Sequence, residues 1–428
     1  MNASNPPAGY ANPHVLSRPT AIAVFAVFAA AYFCSALVRA ITATLAPVLT
    51  AEFGLQSRDL GLLAGGYFLG FALMQLPLGT WLDRYGPKRV IVCFLALAVA
   101  GCLAFSMAQN FAQLLAARVL VGMGVSACLM APMTGYRRWF DAATLLRANS
   151  WMLMTGSLGA LASTLPVQWL MPLTGWRPLF WILAALLALA LAAIALQVPA
   201  WKLEPASAAD DKNGLAVAPG YSAVWRNAYF RRMLPIAFFN YGGLLSVQTL
   251  WAGPWMVKVA GYTPLQSATG LFYINASMLL AFWGWGLVSP RLVRGRWDAN
   301  RLLAWGVPLS LVALAVNIAL GPNAGWQFWA VYCVAATVLG LAQPAVAMVF
   351  DTRLAGRALS AYNLVIFSGI FVVQWGIGLL IDGFAGALGW STVASFQGAM
   401  GVVLMCSVGA YAVFLQGHLA GRNHNQSQ

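Results

Sequence analysis

Residues 21–49 read AIAVFAVFAAAYFCSALVRAITATLAPVL, an almost unbroken apolar run with one charge, Arg39, inside it. A helix needs about 20 residues to cross about 30 Å of hydrocarbon. The run exceeds that, so Arg39 is expected well inside a membrane span. A charge at that depth costs about 3 kcal/mol on insertion scales, and its retention there points to function.

The rest of the chain has the same character. Of 428 residues, 61% are hydrophobic and 8% charged, against about 25% charged in soluble domains. These figures describe a polytopic membrane protein. The net charge of +14 could suggest nucleic acid, but the basic residues are spread over short loops between apolar runs rather than gathered on one surface. Nucleic acid is therefore not expected as a partner; the lipid bilayer is. The six cysteines lie inside apolar runs without metal-ligand spacing, and the fifteen methionines are scattered. No disulfide framework, metal site or other cofactor is expected.

Apolar runs between polar breaks predict an all-α protein of twelve transmembrane helices, near 21–49, 59–82, 90–108, 113–135, 148–170, 177–198, 233–257, 264–289, 301–320, 326–349, 359–381 and 392–416. The expected division is a tail at 1–19, a six-helix bundle at 20–198, a linker at 199–232, a second six-helix bundle at 233–416 and a tail at 417–428. Basic residues cluster on one side, including Arg18, Arg84, Lys88, Arg89, Arg137, Arg138 and Arg147, whereas the other side holds Arg58, Arg177 and Lys258. The positive-inside rule then puts both termini in the cytoplasm, most simply of a bacterial inner membrane. The first span is read as uncleaved, since it is too long for a signal-peptide core. The halves also look alike. GWRPLF before the sixth span has a counterpart in GWSTVASF before the twelfth, and LLRANSW before the fifth in AGRALSA before the eleventh. A shared offset of half the chain is what duplication leaves behind, and carriers built from repeats bind solute at the repeat interface.

Between the second and third spans stands GTWLDRYGPKRV, that is Gly79, Asp83, Arg84, Gly86, Lys88 and Arg89. It resembles the cytoplasmic signature loop of the major facilitator superfamily: glycine, three residues, Asp-Arg, one residue, glycine, then basic residues. The resemblance implies two pseudo-symmetric six-helix halves, a gating role for these six residues and transport by alternating access. Asp83 is then expected to face the start of the eleventh span near Arg357 to Ser360, the positive end of that helix. Arg118, followed by Gly122 and Gly124, resembles the superfamily's fourth-helix motif. Arg39 and Pro47 have the spacing of the anion:cation symporter branch, in which an Asp-Arg pair precedes that proline by eight residues. Here Val38 replaces the aspartate, and Val125 stands where the branch carries a glutamate after the fourth-helix glycines. Both proton-carrying carboxylates are missing, which puts proton symport by that route in doubt.

The ten acidic residues all fall at span ends or in loops, and the three histidines in the tails. Arg39 and Arg118 thus lack a counterion, and an arginine cannot escape by losing its proton. Either water and backbone carbonyls solvate them, Arg39 snorkelling to headgroups, or an anionic solute supplies the missing charge. Tyr32, Ser35 and Thr42 recur at helical spacing around Arg39 and form a polar stripe. In the fold that the resemblance implies, the first, fourth, seventh and tenth helices line the cavity. Asn240, Gln248 and Trp251 in the seventh span, Tyr332 and Gln343 in the tenth and Asn363 in the eleventh complete the candidate binding set with Arg39 and Arg118. Trp255 shares the helical spacing of the seventh-span residues, with the interfacial belt as its alternative reading. Amides and aromatics suit a medium-sized polar organic solute.

The expected function is a secondary active or facilitative transporter, working as a monomer, of a small anionic organic solute. A proton-coupled multidrug or metabolite exporter is the closest alternative, although TGSLGALASTLP in the fifth span lacks the Gly-Pro pair of the antiporter signature. A non-transporting sensor on the same fold is a further alternative. No embedded acid/base pair or nucleophile points to an enzyme.

Overall fold

The computed structural model describes residues 15–200, 221–294 and 298–426. Its described residues form twelve membrane crossings. We number them α1 (Arg18–Phe53), α2 and α3 (the two arms of Ser57–Met107, folded at Gly86), α4 (Phe111–Trp139), α5 (142–174), α6 (Trp176–Gln197), α7 (228–258), α8 (Pro264–Arg294), α9 (Ala299–Leu320), α10 (Trp326–Met348), α11 (Thr352–Leu388) and α12 (Thr392–Gln426). Nine described helices are long and apolar enough to cross a membrane, the folded Ser57–Met107 counting as one of them. The two crossings outside that group, α5 and α7, are both interrupted.

The breaks have local causes. At Gly86 the chain adopts φ 75°, ψ 163°, a conformation open to glycine and strained for other residues, and there α2 turns into α3. Helix α1 ends on Gly54 at φ 62°, whose N–H closes onto the Thr50 carbonyl. Within α1, Pro47 has no N–H to offer the Ala43 carbonyl four residues back. Gly253 of α7 packs against that carbonyl, 3.1 Å from where a Cβ would stand. Helix α5 breaks between residues 162 and 165, where the Thr44 hydroxyl of α1 donates to the Ser163 carbonyl at 2.8 Å. Helix α7 carries two π-helical turns, Ile236–Tyr241 and Val247–Trp251.

The linker expected over 199–232 is shorter on its far side: Tyr221–Arg226 forms a short helix, and α7 begins at residue 228 rather than 233. Helix α12 runs past the expected tail boundary at 417, to Gln426. The linker's middle, 201–220, and the start of the N-terminal tail, 1–14, lie outside the described residues, as do 295–297 in the basic stretch after α8.

Helices α1–α6 and α7–α12 make two six-helix halves that meet mainly where α1 packs on α7, α2 on α11 and α5 on α8. Exchanging the halves maps α2/α11 onto α8/α5, as a duplicated architecture requires. Within the first half the fourth-helix glycines let backbones close together. A Cβ at Gly122 would stand 2.0 Å from the Tyr67 carbonyl of α2, and one at Gly124 would stand 2.2 Å from the Ala98 nitrogen of α3. The basic loops gather at the end that holds Asp83; Arg58, Arg177 and Lys258 lie at the opposite end, near Asp382.

Candidate functional site

The two buried arginines have different surroundings. Arg118 is 1% exposed. Its Nη1 donates to the Val38 carbonyl at 2.8 Å, and its Nη2 donates to the Arg39 carbonyl at 3.2 Å and to the Thr42 hydroxyl. Its guanidinium also lies over the Tyr67 ring, 5.2 Å from the centroid. Only Nε lacks a partner. Arg118 therefore ties α4 to the backbone of α1 directly beneath Arg39.

Arg39 is partly exposed. The hydroxyls of Tyr32 of α1, Tyr67 of α2 and Tyr241 of α7, the last from the opposite half, lie within electrostatic reach of its guanidinium. Among the described residues no carboxylate is paired with it: Glu52, Asp59, Asp83, Asp141, Asp298, Asp351 and Asp382 all stand at helix ends or caps.

The predicted polar stripe of α1 splits accordingly. Tyr32 lies flat against Gly156 of α5, where a Cβ would meet its ring at 2.5 Å, and keeps its hydroxyl toward Arg39. Ser35 and Thr42 are buried inside the first half. The Ser35 carbonyl accepts from the Tyr67 hydroxyl at 3.5 Å, and Thr42 is taken by Arg118.

On the second half, Asn240 is buried with its Oδ1 unpartnered, beside Tyr241 in the first π turn. Gln248 donates to Asn275 of α8 at 2.9 Å, a partner that hydropathy did not single out. The Trp251 indole donates to the Gln374 carbonyl of α11 at 2.9 Å, and Gln343 of α10 donates to Asn363 of α11 at 2.7 Å. These three contacts pair helices within the second half. Tyr332 is buried, its hydroxyl 3.7 Å from where a Cβ on Gly243 would stand. Trp255 is fully buried, not a lipid-facing belt residue, and packs edge-on against Trp329 at 5.2 Å. Its ring packs among Trp329 and Phe396, and its indole N–H has no partner there.

The six residues expected to gate lie at the Asp83 end. Asp83 interacts with Arg357 at the start of α11, and Gly79 packs near the Ser360 hydroxyl, 3.6 Å from its would-be Cβ. The Tyr221 hydroxyl from the short linker helix joins Ser360, Asp83 and Arg357 there. Gly86 makes the turn, Arg84 lies over Tyr85 at 5.4 Å, and Lys88 and Arg89 line a shallow surface hollow with Ala195 and Ala200. At the opposite end both oxygens of Asp382 accept from the free N–H groups that open α2, Ser57 N at 3.2 Å and Arg58 N at 2.8 Å. The α2/α11 pair thus joins the halves at both ends.

Comparison with known proteins agrees with this architecture. The stretch 28–374 matches the Major Facilitator Superfamily. Over 264 residues the chain is 25% identical to the probable sulfoacetate transporter SauU of Cupriavidus necator, covering 57% of this chain and 59% of that protein. It is 31% identical over 152 residues to the 4-hydroxybenzoate transporter PcaK of Pseudomonas aeruginosa, covering 36% of this chain and 34% of that protein. It is 27% identical over 150 residues to the hexuronate transporter of Escherichia coli, covering 35% of each. The matched stretches thus span less than two thirds of these relatives. Among solved structures, a bacterial homologue of the human lysosomal transporter Spinster, inward-facing and unoccupied, superposes with a TM-score of 0.75 at 18% identity, over 94% of this chain and 98% of that one. A D-xylose–proton symporter gives 0.70 at 14% identity, over 90% and 96%. Twelve crossings in two halves, the signature loop at their junction and the match over most of its length make this chain an integral membrane protein of the Major Facilitator Superfamily.

Proposed function

We propose that the protein is a transporter of small organic anions that works by alternating access, with Arg39 as the anchor for the anionic group. The observation that carries this reading is the setting of Arg39: partly exposed in a membrane span, within electrostatic reach of tyrosine hydroxyls on both halves, and without an ion pair among the described residues. Tyr32, Tyr67 and Tyr241 would orient the bound group, and the unpartnered Oδ1 of Asn240 beside Tyr241 would accept from a donor on the solute's polar remainder. Arg118 positions Arg39 rather than the solute. The names of the relatives support the class, since sulfoacetate, 4-hydroxybenzoate and a hexuronate are all organic acids. The charge asymmetry favours the Asp83 end, and with it both termini, as cytoplasmic, in a bacterial inner membrane and as a monomer. The two halves, 20–198 and 233–416, are the rocking units.

In proteoliposomes preloaded with the same unlabelled solute we expect saturable uptake of at least one of radiolabelled sulfoacetate, 4-hydroxybenzoate or glucuronate. Arg39→Ala would weaken apparent affinity about 10- to 100-fold, the worth of a charge-assisted hydrogen-bond pair. Transport confined to organic cations and indifferent to Arg39→Ala would reject the proposal.

A further inference from the structure

The same charge that would hold an anion also bears on the carrier when it is empty. Alternating access requires the midplane to be sealed between the two open states. With a solute in place, the seal closes over a neutral pair. Without one, it closes over a permanent cation, because no neighbour can neutralise Arg39. The groups within electrostatic reach of it are the hydroxyls of Tyr32 on α1, Tyr67 on α2 and Tyr241 on α7, with Arg118 of α4 bonded to the Arg39 carbonyl and Cys128 of α4 within the same reach of Tyr32. A phenol releases its proton near pH 10 in its ordinary state, so these hydroxyls stay neutral at physiological pH. Arg118 is a second cation whose donors are already held by α1. Among the described residues every carboxylate is at a helix end or cap, out of reach of the charge.

We infer that the protein is an anion exchanger: the unneutralised Arg39 holds back the empty carrier, so that one anion enters only as another leaves. This rests on the anion reading above and adds the coupling mode. The exchanged partner is a second small organic or inorganic anion that fits the same guanidinium.

The test does not depend on knowing the natural solute. Donor and acceptor dyes are placed on Met107→Cys and Leu388→Cys, which are exposed, end α3 and α11 at the Asp382 end and belong to opposite halves. The accessible Cys93 and Cys406 are changed to serine. Single-molecule energy transfer in proteoliposomes without added solute then reads how often the empty carrier switches. We expect Arg39→Gln and Arg39→Met to switch at least about tenfold more often than the parent, and Arg39→Lys to stay as slow as the parent. An empty parent carrier that switches as often as both neutral variants, or that a pH gradient accelerates, overturns the inference. In flux assays with 4-hydroxybenzoate, counterflow into preloaded vesicles should exceed net uptake into empty ones by a similar factor. Net anion uptake as rapid as counterflow rejects exchange alone, whereas transport of cations only rejects the anion reading and exchange with it.

Discussion

Arg39 and Arg118 are the same residue type in equally apolar surroundings, yet one is open and the other sealed. The difference is which oxygens each can reach. Arg118 meets two main-chain carbonyls and a hydroxyl of α1, which together satisfy most of its donors, as a buried guanidinium requires. Arg39 is partly exposed, and among the described residues its electrostatic neighbours are phenolic hydroxyls rather than main-chain carbonyls. Arg118→Leu should therefore act through stability, by about 2–4 kcal/mol for charge-assisted bonds lost at a buried site. Thermal unfolding in detergent should show a clear drop in Tm for it, and little change for Arg39→Gln. Equal drops for the two would contradict the division of roles.

The helices that carry the site are the irregular ones. Proline opens a carbonyl in α1, and π turns shift the register of α7 so that Asn240, Tyr241, Gln248 and Trp251 fall within the displaced turns. Such turns recur at functional positions because they re-aim side chains without ending the helix. Helix α4 shows the opposite economy: Gly122 and Gly124 bring three backbones within contact and fix where Arg118 meets α1. Gly122→Ala would place a methyl 2.0 Å from the Tyr67 carbonyl. Since α2 has to shift, a loss of about 1–3 kcal/mol is expected, measurable by denaturation in mixed micelles, with weaker solute affinity because Tyr67 moves too. An Ala variant as stable as the parent would show that the close approach is dispensable.

Across the molecule, the halves are joined by the α2/α11 pair at both ends, Asp83 toward Arg357 at one and Asp382 on the opening turn of α2 at the other. A rocking carrier needs contacts of this kind that are weak enough to break. An aspartate that caps a helix N-terminus is worth about 1 kcal/mol, and 1 kcal/mol changes a two-state ratio about fivefold. Asp382→Ala should therefore raise the population open at that end about fivefold, read by the Met107 and Leu388 dye pair. An unchanged distribution would show that Asp382 does not hold that end shut.

Much of this was visible before folding. Spans such as 176–197 and 326–348 differ from the hydropathy reading by a residue or so, because a membrane imposes length and apolarity on every crossing regardless of its neighbours. The signature loop, the duplication and a lone Arg39 among apolar residues were equally plain. Tyr67 and Tyr241 were not, although Tyr67 sits among glycines in AGGYFLGF and Tyr241 follows Asn240 in FFNYGG, a polar tip in a small-residue setting in each case. Nor was the sealing of Arg118. Those depend on a carbonyl about eighty positions back along the chain or a hydroxyl from the other half, and such distances are set by how helices pack, not by any pattern along one of them. Local composition therefore specified a two-lobed membrane protein with positive charge in its core; the packing of α1 against α4 decided that Arg118 is sealed by main-chain carbonyls while Arg39 stays partly exposed.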